Sequence, residues 1–184
     1  MKKIFFLLCL ILLTPNFTEG KPLINYQYKF RLELTDQWRV KTNTQALAEA
    51  IANDNSSIFI TAQPVTEQLF YSNFNTMTEK EKNDFRQNSL TNLQDMYPQA
   101  LVTSAEYIQT GKNTFLLIVY NLDQEDYTSA QILHNSSCIN ILLTAKEINP
   151  TLENIFTDIL QSFSLFYGEK CGNGKAPRMI SFVK

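Results

Sequence analysis

The segment Cys138–Phe163, CINILLTAKEINPTLENIFTDILQSF, carries the strongest structural pattern in the chain. Cys138–Ala145 is a short apolar run, which predicts a buried strand. After Pro150, apolar residues recur at the spacing of one helical face, and these are Leu152, Ile155, Phe156, Ile159, Leu160 and Phe163. Pro150 suits the first helical position, and the side chain of Asn149 can cap the first turn. We therefore predict a strand followed by an amphipathic helix that packs back onto the sheet.

The composition indicates one globular domain. The chain has 184 residues, of which 44% are hydrophobic and 18% are charged, as in folded rather than disordered proteins. Its 16 basic and 18 acidic side chains give a net charge of −2. Nucleic-acid binding requires a basic face, and this balance offers none. We therefore predict no nucleic-acid partner.

Residues 1–20 have the three-part pattern of a secretory signal peptide. Two lysines precede the unbroken apolar stretch Ile4–Leu13, and a cleavage site is predicted near Gly20. The apolar stretch is too short to span a membrane. We therefore expect a periplasmic or secreted protein, in which residues 21–168 form the domain and residues 169–184 form a basic tail.

The three cysteines have different interpretations. Cys9 lies in the middle of the apolar stretch and follows a leucine rather than a small residue, so the pattern does not predict a lipoprotein. Cys138 and Cys171 remain in the exported chain. Two thiols in an oxidising compartment favour a disulfide, which would fix the tail to the strand at Cys138. A redox pair lacks Cys-x-x-Cys spacing, and two free thiols are the alternative if the Cα atoms lie beyond bridging distance.

Alternating and periodic patterns predict the element order of three strands, a helix, four strands and a second helix. Strands are predicted at Tyr26–Leu34, Trp38–Val40, Ser57–Gln63, Ala100–Gln109, Phe115–Leu122, Tyr127–His134 and Ser137–Ala145. Thr78-x-x-Glu81 is a capping box that opens a helix, and this helix ends before Pro98. Gln45–Asn53, which holds four alanines, is expected to form a short helix or an ordered loop.

Residues 64–77 are rich in aromatic side chains that follow no clean period. Phe70, Tyr71 and Phe74 can form a satellite of the core, because large exposed apolar patches are rare on soluble monomers. The alternative is that they line a surface for a partner or a ligand. We keep these three residues as the candidate partner or ligand surface.

No set of residues in the sequence indicates catalysis, a cofactor or a metal. His134, the only histidine, has no nucleophile motif beside it and is expected to be a solvated residue of a hairpin. Gly111-Lys112 lacks the second glycine of a phosphate-binding loop. One histidine with two distant cysteines is a poor zinc set, and Asp123–Asp126 lacks the spacing of an EF-hand loop. We predict neither an enzyme nor a bound cofactor or metal.

The tail combines positive charge with apolar residues. Between Tyr167 and Lys184 there are four cationic side chains and one acidic side chain, a net of four minus one, or +3. The apolar residues near its end are Met179, Ile180, Phe182 and Val183. Such a segment is able to contact an anionic membrane surface or a partner, and the alternative is a partly ordered terminus.

The order of elements and three groups of residues resemble the PsbP-like superfamily, which includes the DcrB type of bacterial exported proteins. The likeness is carried by an opening strand with its tryptophan, by a helix exit with the following hairpin, and by the closing strand and helix. These are Tyr28-x-Phe30…Leu34-x-Asp36-x-Trp38, Tyr97-Pro98…Gly111…Tyr120, and Thr144-Ala145…Phe156…Ile159-Leu160-x-Ser162-Phe163. The resemblance implies an α+β fold, an α/β/α sandwich around a mostly antiparallel sheet.

The same resemblance implies a class of function. The family shares no catalytic residues, and its members are mostly binding, assembly or accessory modules. We therefore expect an exported, non-enzymatic interaction or assembly module of the cell envelope, with an envelope protein as its partner. The alternative is a periplasmic protein that binds a small ligand or a lipid in a cavity between a helix and the sheet, beside Phe70, Tyr71 and Phe74.

Overall fold

The computed structural model describes residues 21–41 and 46–166, which form ten strands and two α-helices. The predicted signal peptide, Cys171 and the whole basic tail lie outside the described residues. The strands are β1 Lys21–Asn25, β2 Phe30–Leu34, β3 Arg39–Lys41, β4 Ala48–Ile51, β5 Ser57–Pro64, β6 Leu101–Thr110, β7 Asn113–Leu122, β8 Glu125–His134, β9 Ser137–Ala145 and β10 Ser164–Leu165. The helices are α1 Glu79–Met96 and α2 Pro150–Ser162, and a 3₁₀ turn covers Glu67–Leu69.

The strands form two sheets. The larger sheet has the order β3-β4-β5-β9-β8-β7-β6, and the smaller has the order β1-β2-β10. Every neighbouring pair is antiparallel. The predicted strand at Cys138 is the central strand of the larger sheet, where Ile139, Ile141 and Leu143 are completely buried. The α+β class and the mostly antiparallel sheet are thus confirmed.

Each face of the larger sheet carries its own hydrophobic cluster. On one face, Ile60 and Ile141 pack in a cluster with Leu32 of the small sheet and with Phe156 and Ile159 of α2. On the other face, a second cluster joins residues of β7 to α1 and to the segment before it; its buried members include Leu116, Ile118, Leu93 and Phe74. Alternation along the strands sends successive side chains to opposite faces, so one sheet supplies both clusters. The layers are therefore those of an α/β/α sandwich, with the small sheet beside α2.

Both helices begin where the sequence places their caps. The Thr78 side chain accepts a hydrogen bond from the backbone N–H of Glu81 at 3.3 Å, and the Glu81 carboxylate accepts one from the backbone N–H of Thr78 at 2.7 Å. These two bonds complete the capping box. Asn149 accepts a bond from the backbone N–H of Leu152 at 3.0 Å, with Pro150 as the first helical residue. The capping predictions are confirmed.

Three phenylalanines join the layers. Phe30 of the small sheet, Phe115 of the larger sheet and Phe163 at the end of α2 are all at least 98% buried. The ring of Phe163 stacks on Phe30 and meets Phe115 edge to face, with both pairs of ring centroids 5.6 Å apart. We call these residues the aromatic joint, because each comes from a different element: the small sheet, the larger sheet and the end of α2.

Two local predictions are wrong. Gln45–Asn53 contains β4 rather than a helix or a loop: Ala48 pairs with Ile60, and Ala50 pairs with Ile58. Pairing with β5 buries the small alanines in the core, which outweighs their helix propensity. The strand predicted at Tyr26–Leu34 begins only at Phe30, because residues 26–29 form the turn of a hairpin whose first strand is β1.

The two edges of the larger sheet differ. β3 has three residues, all exposed, and two of them are Arg39 and Lys41. β6 has ten residues, and its register with β7 shifts between Val102 and Ser104. Neither α1 nor α2 is both long enough and apolar enough to cross a membrane, and the other described segments contain no such helix.

Candidate functional site

A cleft of about 680 Å³ opens at one end of the larger sheet. It lies where the β6–β7 turn, the β8–β9 turn, the segment before α1 and the junction of α2 with β10 come together. We call it the end cleft. Its described lining is Tyr71–Asn75, Gly111–Thr114, Ile132–Asn135 and Gln161–Leu165.

Hydrogen bonds between these segments hold the end cleft in shape. Asn75 donates from its amide to the carbonyl of Lys112 at 3.2 Å, and its amide oxygen accepts a bond from Thr114. Asn113 donates to the carbonyl of Phe163 at 2.8 Å. These bonds fix the β6–β7 turn against the segment before α1 on one side and against the end of α2 on the other.

The end cleft is polar but carries little charge. Its polar lining consists mainly of amides and hydroxyls, and these belong to Tyr71, Ser72, Asn73, Asn75, Asn113, Thr114, Asn135, Gln161, Ser162 and Ser164. Apart from His134, Lys112 is the basic residue of the described lining. Amides and hydroxyls both donate and accept hydrogen bonds. The lining therefore suits uncharged polar groups of a partner, which need not carry a charge opposite to that of the cleft.

His134 is buried rather than solvated, which corrects the expectation from the sequence. It is 4% exposed and lies on the same face of β8 as Ala130 and Ile132, the face that α2 and the small sheet cover. Burial lowers the pKa of the imidazole, and the positive charge of Lys29 lowers it further. His134 therefore lines the end cleft as a neutral ring, with its Nε2 atom 3.1 Å from the Asn135 amide nitrogen.

The structure separates the three residues of the candidate partner or ligand surface. Phe74 is 1% exposed and packs edge to face against Phe85 and Tyr107, as a satellite of the core. Phe70 is 40% exposed and Tyr71 is 85% exposed. Of the three, only Phe70 and Tyr71 therefore present their rings to the solvent; Tyr71 lines the end cleft, and Phe70 directly precedes it in the chain.

Tyr71 has a strained backbone. Its φ of 63° lies in the left-handed region, which costs a residue with a side chain roughly 1–2 kcal/mol. Its backbone N–H donates to the carbonyl of Asn135 at 3.0 Å, so the β8–β9 turn holds it in place. Asn135 itself has a φ of 55°, which asparagine tolerates well. The fold thus holds the backbone of Tyr71 in an unfavourable conformation while the bulky ring of this residue is exposed.

Cys138 lies on the opposite face of the sheet from His134, and burial raises the pKa of its thiol to about 12. It has no disulfide partner among the described residues. Because Cys171 lies outside the described residues, the bridge between Cys138 and Cys171 stays a prediction. Within residues 21–41 and 46–166, no cluster of three or more His, Cys, Asp or Glu side chains could hold a metal ion.

Sequence reasoning missed most of the end cleft. Its polar residues come from turns, where asparagine and glycine are common for backbone reasons. Gly111, for example, is a turn glycine with a φ of 61°, and Asn73 caps its own turn by accepting a bond from the backbone of Asn75. The sequence signal for the cleft is that asparagine recurs in turns that meet at one end of a sheet. This signal can be recognised only once the topology of the sheet is known.

Comparison with known proteins supports the fold. No protein-family model matches the chain, and no curated protein matches its sequence. The solution structure of cyanobacterial PsbP (CyanoP) from Synechocystis sp. PCC 6803 is similar, with a TM-score of 0.58 and 10% identity over 83% of this chain and 96% of that chain.

Two further solved structures match less closely. A Bacteroides thetaiotaomicron crystal structure has a TM-score of 0.49 and 11% identity, covering 81% of this chain and 49% of that one. A Pseudomonas aeruginosa protein of unknown function has a TM-score of 0.43 and 12% identity, covering 78% of this chain and 95% of that one. At such identities a likeness concerns the fold alone, and a DcrB-type assignment stays a prediction. The chain has a PsbP-like fold.

Proposed function

We propose that this chain is an exported, non-enzymatic interaction module of the cell envelope, and that an envelope protein docks beside its end cleft, on Phe70 and Tyr71. The observation that carries the proposal is the exposed ring of Tyr71, 85% accessible on a backbone held at a φ of 63°. Strain of this kind persists only where the surrounding structure enforces it, and it concentrates at functional positions. Exposed tyrosines are also common anchors in protein interfaces.

The PsbP-like fold supports the non-enzymatic part of the proposal. The resemblance implies binding and assembly roles rather than shared chemistry. The lining of the end cleft agrees with this role, because amides and hydroxyls can pair with the backbone and polar side chains of a partner. Export rests on the signal-peptide pattern of residues 1–20.

The proposal is tested by in-cell crosslinking of the tagged full-length chain, followed by mass spectrometry of the captured proteins. The test variant is Tyr71→Asn, because asparagine accepts a positive φ and the fold is therefore not penalised. The matched control is Leu101→Asn, which removes another exposed apolar side chain (68% exposed) at the opposite end of the larger sheet. We expect one envelope protein to be captured by the wild type and by the control, and lost in Tyr71→Asn. Equal capture by all three chains, or capture of nothing, contradicts the proposal.

A second candidate function is the binding of a small ligand or a lipid. The volume of the end cleft, about 680 Å³, favours it, because it lies within the usual range of ligand sites, about 300–1,000 Å³. This hypothesis predicts that a compound copurifies with the full chain and that native mass spectrometry shows one bound compound per protein molecule. It also predicts that Ser72→Trp, which narrows the cleft, removes the compound while the far-UV circular dichroism stays unchanged. A ligand-free wild-type chain contradicts this reading.

A further inference from the structure

A second concavity, which we call the α2 groove, runs between α2 and strands β6 and β7. It measures about 390 Å³. Its apolar lining is Ile108, Leu117, Val119, Leu143, Ile148, Phe156 and Leu160. Two acidic residues flank this lining, Glu106 from β6 and Glu153 from α2, and both are exposed. The groove therefore combines an apolar floor with an acidic rim.

The carboxylates of the rim are available. None of the ion pairs among the described residues involves Glu106 or Glu153. No basic residue lines the groove within the described part of the chain. An occupant that suits it has apolar side chains for the floor and a cationic group for each carboxylate.

The C-terminal tail of this chain carries such a pattern. Arg178, Ile180, Phe182 and Lys184 stand at every second position of the sequence RMISFVK. In an extended segment, alternate residues lie on the same side, so these four side chains would form one face in the order basic, apolar, apolar, basic. The tail as a whole, residues 169–184, carries a net charge of four minus one, or +3.

The tail is also long enough to reach the groove. Phe166, the last described residue, lies at the small sheet, where its N–H donates to the carbonyl of Lys29 at 3.0 Å. α2 borders the groove, and its 13 residues span about 20 Å. Ile180 follows Phe166 by 180 − 166, or 14, positions, and an extended chain of that length spans up to about 45 Å.

We propose that residues Arg178–Lys184 of this chain bind in the α2 groove, with Ile180 and Phe182 on its apolar floor and the flanking cations beside Glu106 and Glu153. The proposal is independent of the function assigned to the end cleft, which lies at the C-terminal end of α2. It gives the tail a binding site on its own domain, in place of a membrane or a separate partner.

The test places the photoreactive residue p-benzoylphenylalanine at position 182 of the full-length chain. After irradiation and digestion, mass spectrometry identifies the peptide to which position 182 is joined. We expect crosslinks within one chain, to peptides that contain Leu117 or Phe156. Crosslinks to other surfaces, to lipid or to other proteins would overturn the proposal.

A charge reversal tests the acidic rim. In the double variant Glu106→Lys, Glu153→Lys, we expect the crosslink yield to fall by roughly fivefold, since two attractive contacts become repulsive. The matched control, Glu67→Lys with Asp95→Lys, makes the same charge change at two exposed positions outside the groove and should leave the yield unchanged. Equal yields in the two double variants would overturn the pairing of the tail with the rim.

Discussion

Replacement of Phe163 by leucine should weaken the aromatic joint without leaving a large cavity in it. Phe163 is 2% exposed and makes two ring contacts at 5.6 Å, one with Phe30 and one with Phe115. Each such contact contributes about 0.5–1.5 kcal/mol beyond the burial of the ring. Leucine retains most of the apolar burial but neither ring contact, so the free energy of unfolding should fall by roughly 1–3 kcal/mol.

The measurement is urea denaturation of wild type, Phe163→Leu and a matched control, Phe59→Leu. For a slope of about 2 kcal/mol per molar urea, a loss of 2 kcal/mol lowers the midpoint by about 1 M at unchanged slope. Phe59 is half-buried on β5, and the same substitution there should cost less than about 1 kcal/mol. The double variant with Phe30→Leu should reveal a coupling energy of about 0.5–1.5 kcal/mol. Equal losses at positions 163 and 59, or a coupling near zero, would refute the role assigned to the joint.

Three further predictions concern other parts of the molecule. The pKa of His134 is lower in the folded state than in the unfolded state, so the unfolded chain binds more protons in acid. The free energy of unfolding should therefore be constant above about pH 6.5 and fall below it, by at most about 1.4 kcal/mol per pH unit. A His134→Gln variant that shows the same slope between pH 7 and 5 would contradict this. If Cys138 and Cys171 are bridged as predicted, the exported chain should show no titratable thiol in denaturant until it is reduced, whereas a chain without the bridge should show two. Thr78→Ala should cost about 1 kcal/mol in thermal unfolding, because it removes the capping box of α1, and a change near zero would show that the first turn does not depend on it.

Elements with a complete local pattern were predictable from the sequence. Helix α2 was predictable because its apolar face, Pro150 and Asn149 all indicate the same helix. Helix α1 was predictable because Thr78 and Glu81 cap its first turn and Pro98 follows its end. β4 was not, because its alanines have no strand preference until β5 pairs with them. Strands β1 and β10 also depend on a partner, since both pair with β2.

The candidate site was less predictable than the fold. Aromatic composition led to Phe70, Tyr71 and Phe74, but burial of Phe74 depends on Phe85 of α1 and Tyr107 of β6, which belong to other elements of the fold. The burial of His134 follows from register, because it continues the series Ala130 and Ile132 on one face of β8. Where a side chain is covered by a distant layer, local patterns cannot show it.

The unequal edges of the larger sheet determine how copies of this protein could associate through their strands. β3 is short, and its Arg39 and Lys41 oppose pairing with another strand, whereas the outer edge of β6 offers a much longer row of backbone groups. If only the β6 edge is suited to pairing, each larger sheet can pair with the sheet of one other copy only. Edge-to-edge pairing would therefore close in a two-fold symmetric pair through β6, and the short, charged β3 at each far end would prevent growth into an open-ended fibre.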